Sequence, residues 1–257
     1  MLPTLFLYLL AIGHRTPISS FSHLNFNMSS ISNRPAKRSD QIHELITSVN
    51  RYNPENISIL EDYLKEQCNS FSSDSNDLAA NLALLKLYQF NPELINIDAV
   101  VSVLAKALTS LPGNDFIMCL YLLNEQIIND ESVLKVLELK DLLETARFEI
   151  FWDVLSSDQA RDLISNVRGF DDTIRSMIAT NIANTHQSAT AEFLELSLNL
   201  DNSELVEFAE QQGWSLSSDN RLVNFPLRDE NLAKPIVLSE QTPFSQLTKA
   251  IGSSFEN

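Results

Sequence analysis

The residues able to do chemistry are few, and their spacing does not assemble a catalytic group. The four histidines are His14, His23, His43 and His186, and neither of the two in the body, His43 and His186, sits in a metal-ligand pattern. Cys68 and Cys119 form neither a Cys-x-x-Cys pair nor a disulfide framework. Cys119 lies in an apolar run, 116–123, and reads as a small buried side chain in a reducing compartment. Asp171 and Asp172 are adjacent, so on a helix they point apart and cannot converge on one substrate atom. Capping the helix that starts at Phe170 is their better role. Gly-rich phosphate loops and nucleophile elbows are missing from the sequence. The expectation is a non-catalytic chain with no cofactor and no metal.

Charge carries more information than any catalytic side chain. Of 18 basic residues, Arg15, Arg34, Lys37 and Arg38 lie in the first 39 positions, where there is no acid. The rest holds 14 basic and 34 acidic residues, a net of −20. Such a body repels phosphodiester backbones and favours protein partners. Between Ser176 and Asn220 there is no lysine or arginine, while Glu192, Glu195, Asp201, Glu204, Glu207, Glu210 and Asp219 supply seven acids.

These acids must be positioned by helices. Only 5 glycines occur in 257 residues, and leucine-rich stretches recur at helical spacing. The most apolar is 77–92. Leu78, Leu82 and Leu85 run down one face and Leu84 and Leu87 down another, with Asp77 as N-cap and Pro92 as terminator. A helix apolar on several sides belongs inside a stack of helices.

Before it, Ser39 or Asp40 caps a helix through Val49 with Ile42, Leu45, Ile46 and Val49 inward, and Asn53-Pro54 starts a second bearing Ile57, Leu60 and Leu64. After it come helices over 98–109, 115–128 and from Asp130 or Glu131 through Ala146, the last carrying Val136, Leu139 and Leu143. A segment with Phe148, Phe151, Trp152 and Leu155 and a short helix ending near Val167 complete the series. Short turns and no strand pattern imply antiparallel pairs in a degenerate helical repeat, a HEAT-like arrangement over 39–168.

The pattern changes over 169–228. Helices at 170–183, 189–198 and 203–212 are followed by two alternating segments, 214–216 and 221–225, which read as a β-hairpin. Three helices and a hairpin is the order of a winged helix. Its third helix would present Glu204, Glu207 and Glu210, making it a poor reader of a DNA groove. Those glutamates either meet a protein partner or solvate a surface.

The two ends stand apart. Residues 1–38 hold a hydrophobic run, 2–13, too short to span a bilayer, with no basic residue ahead of it, then a serine-rich acid-free stretch. A signal segment, a transit segment or a true start at Met28 are the readings, and the acidic, cysteine-poor body favours the last, in the cytoplasm. Residues 229–257 read as a linker and a short amphipathic helix with Phe244, Leu247 and Ile251 at i, i+3 and i+7. That helix either folds back or docks into a partner's groove.

Three segments carry a family resemblance: Arg51-Tyr52-Asn53-Pro54-Glu55-Asn56, the helix at 77–92, and Asp141-Leu142-Leu143-Glu144-Thr145. Together and in order they resemble the K-subunit family of eukaryotic translation initiation factor 3, whose members are similar to PCI-type subunits. Gly213-Trp214 before the hairpin also matches. The resemblance implies an all-α, PCI-type helical repeat followed by a winged helix, acting as a non-catalytic subunit paired with the L subunit on the small ribosomal subunit in mRNA recruitment. The nearest rivals are a subunit of the proteasome lid or the signalosome, and a winged-helix nucleic-acid binder.

Overall fold

Local capping chemistry sets most helix starts. The computed structural model describes residues 34–35, 37–70, 76–217, 219 and 221–232. Ser39 accepts from the Ile42 N–H and opens α1, Asp40–Thr47, which buries Ile42, Leu45 and Ile46. Val49, expected on that face, is instead 85% exposed. The cause is Ser48, whose extended backbone stops the helix and whose hydroxyl caps a 3₁₀ turn, Val49–Tyr52.

The Asn53-Pro54 step forms a 3₁₀ turn that leads into α2, Ile57–Cys68. Asp77 caps α3, Leu78–Phe90, by accepting from the Ala80 N–H, and Pro92 lies just beyond its end. Asn96 does the same for α4, Ile97–Leu108. Every residue of α4 from Ala99 to Leu108 is buried. It packs against α2, α3 and three later helices, which covers it on all sides beyond its first two residues.

The single helix expected over 115–128 is two. α5, Asp115–Leu120, ends, and Asn124 restarts the chain as α6, Glu125–Ile128, by accepting from the Ile127 N–H at 2.9 Å. The interruption turns Tyr121 outward and keeps Leu123 buried. α7, Glu131–Glu144, is capped by Asp130. Ala146, expected on its buried stripe, lies past its end, exposed and left-handed at φ 56°. α8, Phe148–Leu155, and α9, Asp158–Ile164, follow and pack on each other.

The chain divides between Thr173 and Ile174 into two units. The division falls inside α10, Phe170–Thr185. Asp171 is not a cap; it lies in the first helical turn and pairs with Arg161 at 2.9 Å.

In the second unit a strand precedes the next helix. β1, Ser188–Thr190, leads directly into α11, Ala191–Leu198, so Ala189 is a strand residue and Thr190 is the cap. α12, Asn202–Gln211, ends before Gly213, which takes φ 70° at no steric cost. β2, Ser215–Leu216, and β3, Leu222–Asn224, form the expected hairpin, and β1 adds to β3 in antiparallel register, Ala189 opposite Val223. The sheet order is β1-β3-β2. Ala189 and Val223 face a core of Leu194, Leu198, Leu205, Ala209, Trp214 and Phe225. The Trp214 ring meets Phe225 edge-on at 4.8 Å and Phe208 at 5.8 Å.

Overall the described chain is mostly helical with three short strands.

Candidate protein interface

α12 is held as its sequence requires. Leu205 and Ala209 point to the core, which turns Glu204, Glu207 and Glu210 to solvent. Glu204 has a local task as well: its carboxylate accepts from the Asp201 N–H at 3.3 Å, one arm of a capping box. Glu207 accepts from the Gln211 amide at 3.5 Å. A negative charge at the first turn also suits the helix dipole.

Next to it, α11 contributes a part that sequence reasoning missed. Phe193 and Leu196 are exposed on the helix that carries Glu192 and Glu195. Apolar anchors among carboxylates have the character of a protein-binding surface rather than a phosphate-binding one. The signal was present in Glu-Phe-Leu-Glu-Leu, 192–196, where apolar residues fall on both sides of a short helix. Phe244, Leu247 and Ile251 lie outside the described residues.

Asn231, read from sequence as part of a linker, is buried and tied into this unit. Its amide donates to the Ala183 carbonyl at 2.9 Å and the Pro226 carbonyl at 3.0 Å, and its side-chain oxygen accepts from the Arg228 N–H at 2.8 Å. The Gln187 amide donates to the Asn231 carbonyl at 2.9 Å. These bonds fasten the chain beyond β3 to the end of α10.

The two described histidines lie in different units. His43 lies 3.5 Å from the Arg38 guanidinium, and His186 is exposed beside the Thr185 hydroxyl. Among the described residues no cluster of His, Cys, Asp and Glu could hold a metal ion. Both cysteines are free and buried. Burial pushes the Cys68 thiol up to about 11 and the Cys119 thiol up to about 12. At neutral pH neither supplies a thiolate. Cys68 borders a cavity of about 270 Å³ lined also by Glu61, Lys65, Asn96, Asp98 and Ser102. There Lys65 pairs with Asp62, the Ser102 hydroxyl donates to the Asp98 carbonyl, and Glu61 accepts from the Tyr88 hydroxyl. No described helix is long and apolar enough to cross a membrane.

The profile of the CSN8/PSMD8/EIF3K family matches residues 94–234, from the 3₁₀ turn before α4 to just past Asn231. The chain is 34% identical over 238 residues to eukaryotic translation initiation factor 3 subunit K of Phaeosphaeria nodorum, covering 86% of this chain and 95% of that one. It is 34% identical over 212 residues to the Homo sapiens subunit K, covering 82% and 94%. This chain belongs to the initiation factor 3 subunit K family. The Xenopus laevis member is 36% identical over the same length, 212 residues. Family membership therefore extends over both units, and the surface on α11 and α12 lies inside the matched region.

Proposed function

We propose that the chain is a non-catalytic scaffold subunit of the eukaryotic translation initiation factor 3 complex, working in the cytoplasm. It pairs with the L subunit and joins the complex as it assembles on the small ribosomal subunit during mRNA recruitment. Residues 39–168 serve as a PCI-type helical repeat. Residues 169–228 serve as a winged helix, a reading supported by the order helix, strand, helix, helix, strand, strand and by the sheet order β1-β3-β2.

The observation that carries this reading is the charge of α12. In a winged helix that reads DNA, the third helix enters the groove and cations meet the phosphates. Here that helix turns Glu204, Glu207 and Glu210 outward, in a stretch of 45 residues, 176–220, without one lysine or arginine. A protein partner is the occupant such a face admits. The names of the relatives support the choice of complex over the proteasome lid or signalosome, to whose subunits the shared family profile also extends.

Native mass spectrometry of assemblies recovered through a C-terminal tag tests the proposal. The expected masses are those of initiation factor 3 complexes and of a subcomplex with the L subunit. Recovery as a free monomer, or with lid or signalosome subunits, overturns it. The full chain is also expected to leave a 20-base-pair duplex unshifted at low salt; salt-dependent duplex binding would favour the nucleic-acid reading.

A further inference from the structure

A second surface lies in the first unit. Val49 and Tyr52 belong to the 3₁₀ turn after α1, which packs on α3; the Tyr52 ring meets Phe90 at the end of α3, and Leu94 follows just beyond that helix. All four are exposed: Val49 at 85%, Tyr52 at 52%, Phe90 at 59% and Leu94 at 46%. The two rings lie 6.3 Å apart with their planes at 60°. The Arg51 guanidinium sits 5.4 Å from the centre of the Tyr52 ring, and the Lys86 ammonium 5.0 Å from that of Phe90.

These two cations differ from several others in the unit. Arg38, Lys65, Lys135, Lys140 and Arg161 are each paired with a carboxylate. Arg51 and Lys86 have no carboxylate partner among the described residues; the Lys86 ammonium donates to the neutral Gln89 amide at 2.9 Å. In a chain carrying 34 acids, two unpaired cations flank one apolar patch.

We infer that this patch docks a polypeptide segment of a fellow subunit, one with an apolar side chain flanked by carboxylates. The inference rests on the proposed scaffold role. Tyr52, Phe90, Val49 and Leu94 receive the apolar anchor, and Arg51 and Lys86, steadied over the rings, receive the carboxylates. Arginine and aromatic residues together are the side chains that dominate binding energy at protein interfaces. Charge complementarity selects an acidic segment over a basic one. RNA fits less well: the acidic body opposes its phosphate backbone.

A photo-crosslinking amino acid placed at Tyr52 or Phe90 of the full chain, assembled in its native complex, tests this. On irradiation, p-benzoylphenylalanine at either position is expected to join a fellow subunit at a segment with at least two acidic residues near a leucine, isoleucine or aromatic residue. Combining Arg51→Glu with Lys86→Glu should lower the yield roughly tenfold. The milder pair Arg51→Gln and Lys86→Gln should lower it less, with thermal melts unchanged for both. Crosslinks to RNA, to a segment without acids or to this same chain overturn the inference. So does a yield indifferent to the charge changes, or no crosslink in a complex that contains the chain. Absence of the chain from the complex is read separately by native mass spectrometry and overturns the proposed function instead.

Discussion

Asp77 makes more contacts than helix capping requires. Besides accepting from Ala80, it takes two guanidinium bonds from Arg38, at 2.6 and 2.5 Å, and one from the Tyr63 hydroxyl at 3.0 Å. Its own N–H donates to the Gln67 side chain at 2.8 Å. Asp77 and Arg38 are both buried, and the bonds to Asp77 hold the guanidinium above its ordinary value. Burial pushes the Tyr63 hydroxyl up, and the Asp77 carboxylate adds to the effect. Removing one partner strands the other, so Asp77→Ala should cost roughly 3–5 kcal/mol in urea denaturation. Lys106 is the opposite case. It is 2% exposed in α4, and burial lowers its pKa from the usual 10.5. Between the lowered folded value and 10.5 the unfolded chain holds more protons, so stability rises with pH across that window. Lys106→Met should therefore be more stable than the parent at pH 7, with the gap closing towards pH 10 in paired denaturation curves.

At the scale of elements, the unexpected features are joints. The break between α5 and α6 comes from a local competitor, Asn124, whose side chain caps a new turn more readily than it continues an old one. β1 is three residues long and has no alternation that marks it in sequence; pairing with β3 makes it a strand. Asn231 fastens the segment after β3 to α10 through its amide. Asn231→Ala leaves the Ala183 and Pro226 carbonyls without that donor and should destabilise the second unit by roughly 1–3 kcal/mol. The two tryptophans permit a direct reading, since Trp152 lies in α8 and Trp214 in the core of the second unit. In a Trp152→Phe background, the denaturation midpoint followed by Trp214 emission should fall on Asn231→Ala substitution.

For the whole molecule, charge decides which partners are admitted. The formal net charge is −16, and the acid-free lead before Asp40 makes the remainder more negative still. Combining Glu204→Lys, Glu207→Lys and Glu210→Lys keeps the exposed positions of α12 and reverses their sign. The variant should gain duplex binding whose affinity falls with salt, by a slope of about −0.9 for each phosphate neutralised, in fluorescence anisotropy. It should also lose incorporation into the complex, measured as its ratio to the other subunits in native mass spectra. Unchanged incorporation would leave these glutamates as a solvated surface.

Sequence alone determined the features that reach no further than about one helical turn. Asp77 caps the helix it precedes, the caps of α1 and α7 are narrowed to Ser39 or Asp40 and to Asp130 or Glu131, Pro92 and Gly213 stand past the ends, and the cation-free stretch from Ser176 to Asn220 is a matter of composition. Side-chain spacing also placed Leu60, Leu64, Leu84 and Leu139 inside. Only the tertiary structure decided which apolar residues stay uncovered, because that depends on which neighbour arrives. Val49 shares the apolar character of Leu45 but is left exposed by the described residues, whereas α4 is buried from Ala99 to Leu108. Arg38 and Asp77 are 39 residues apart, and Asn231 and Ala183 are 48 apart. Contacts at that separation have no local signal; they exist once the packing of many helices has fixed where each backbone runs.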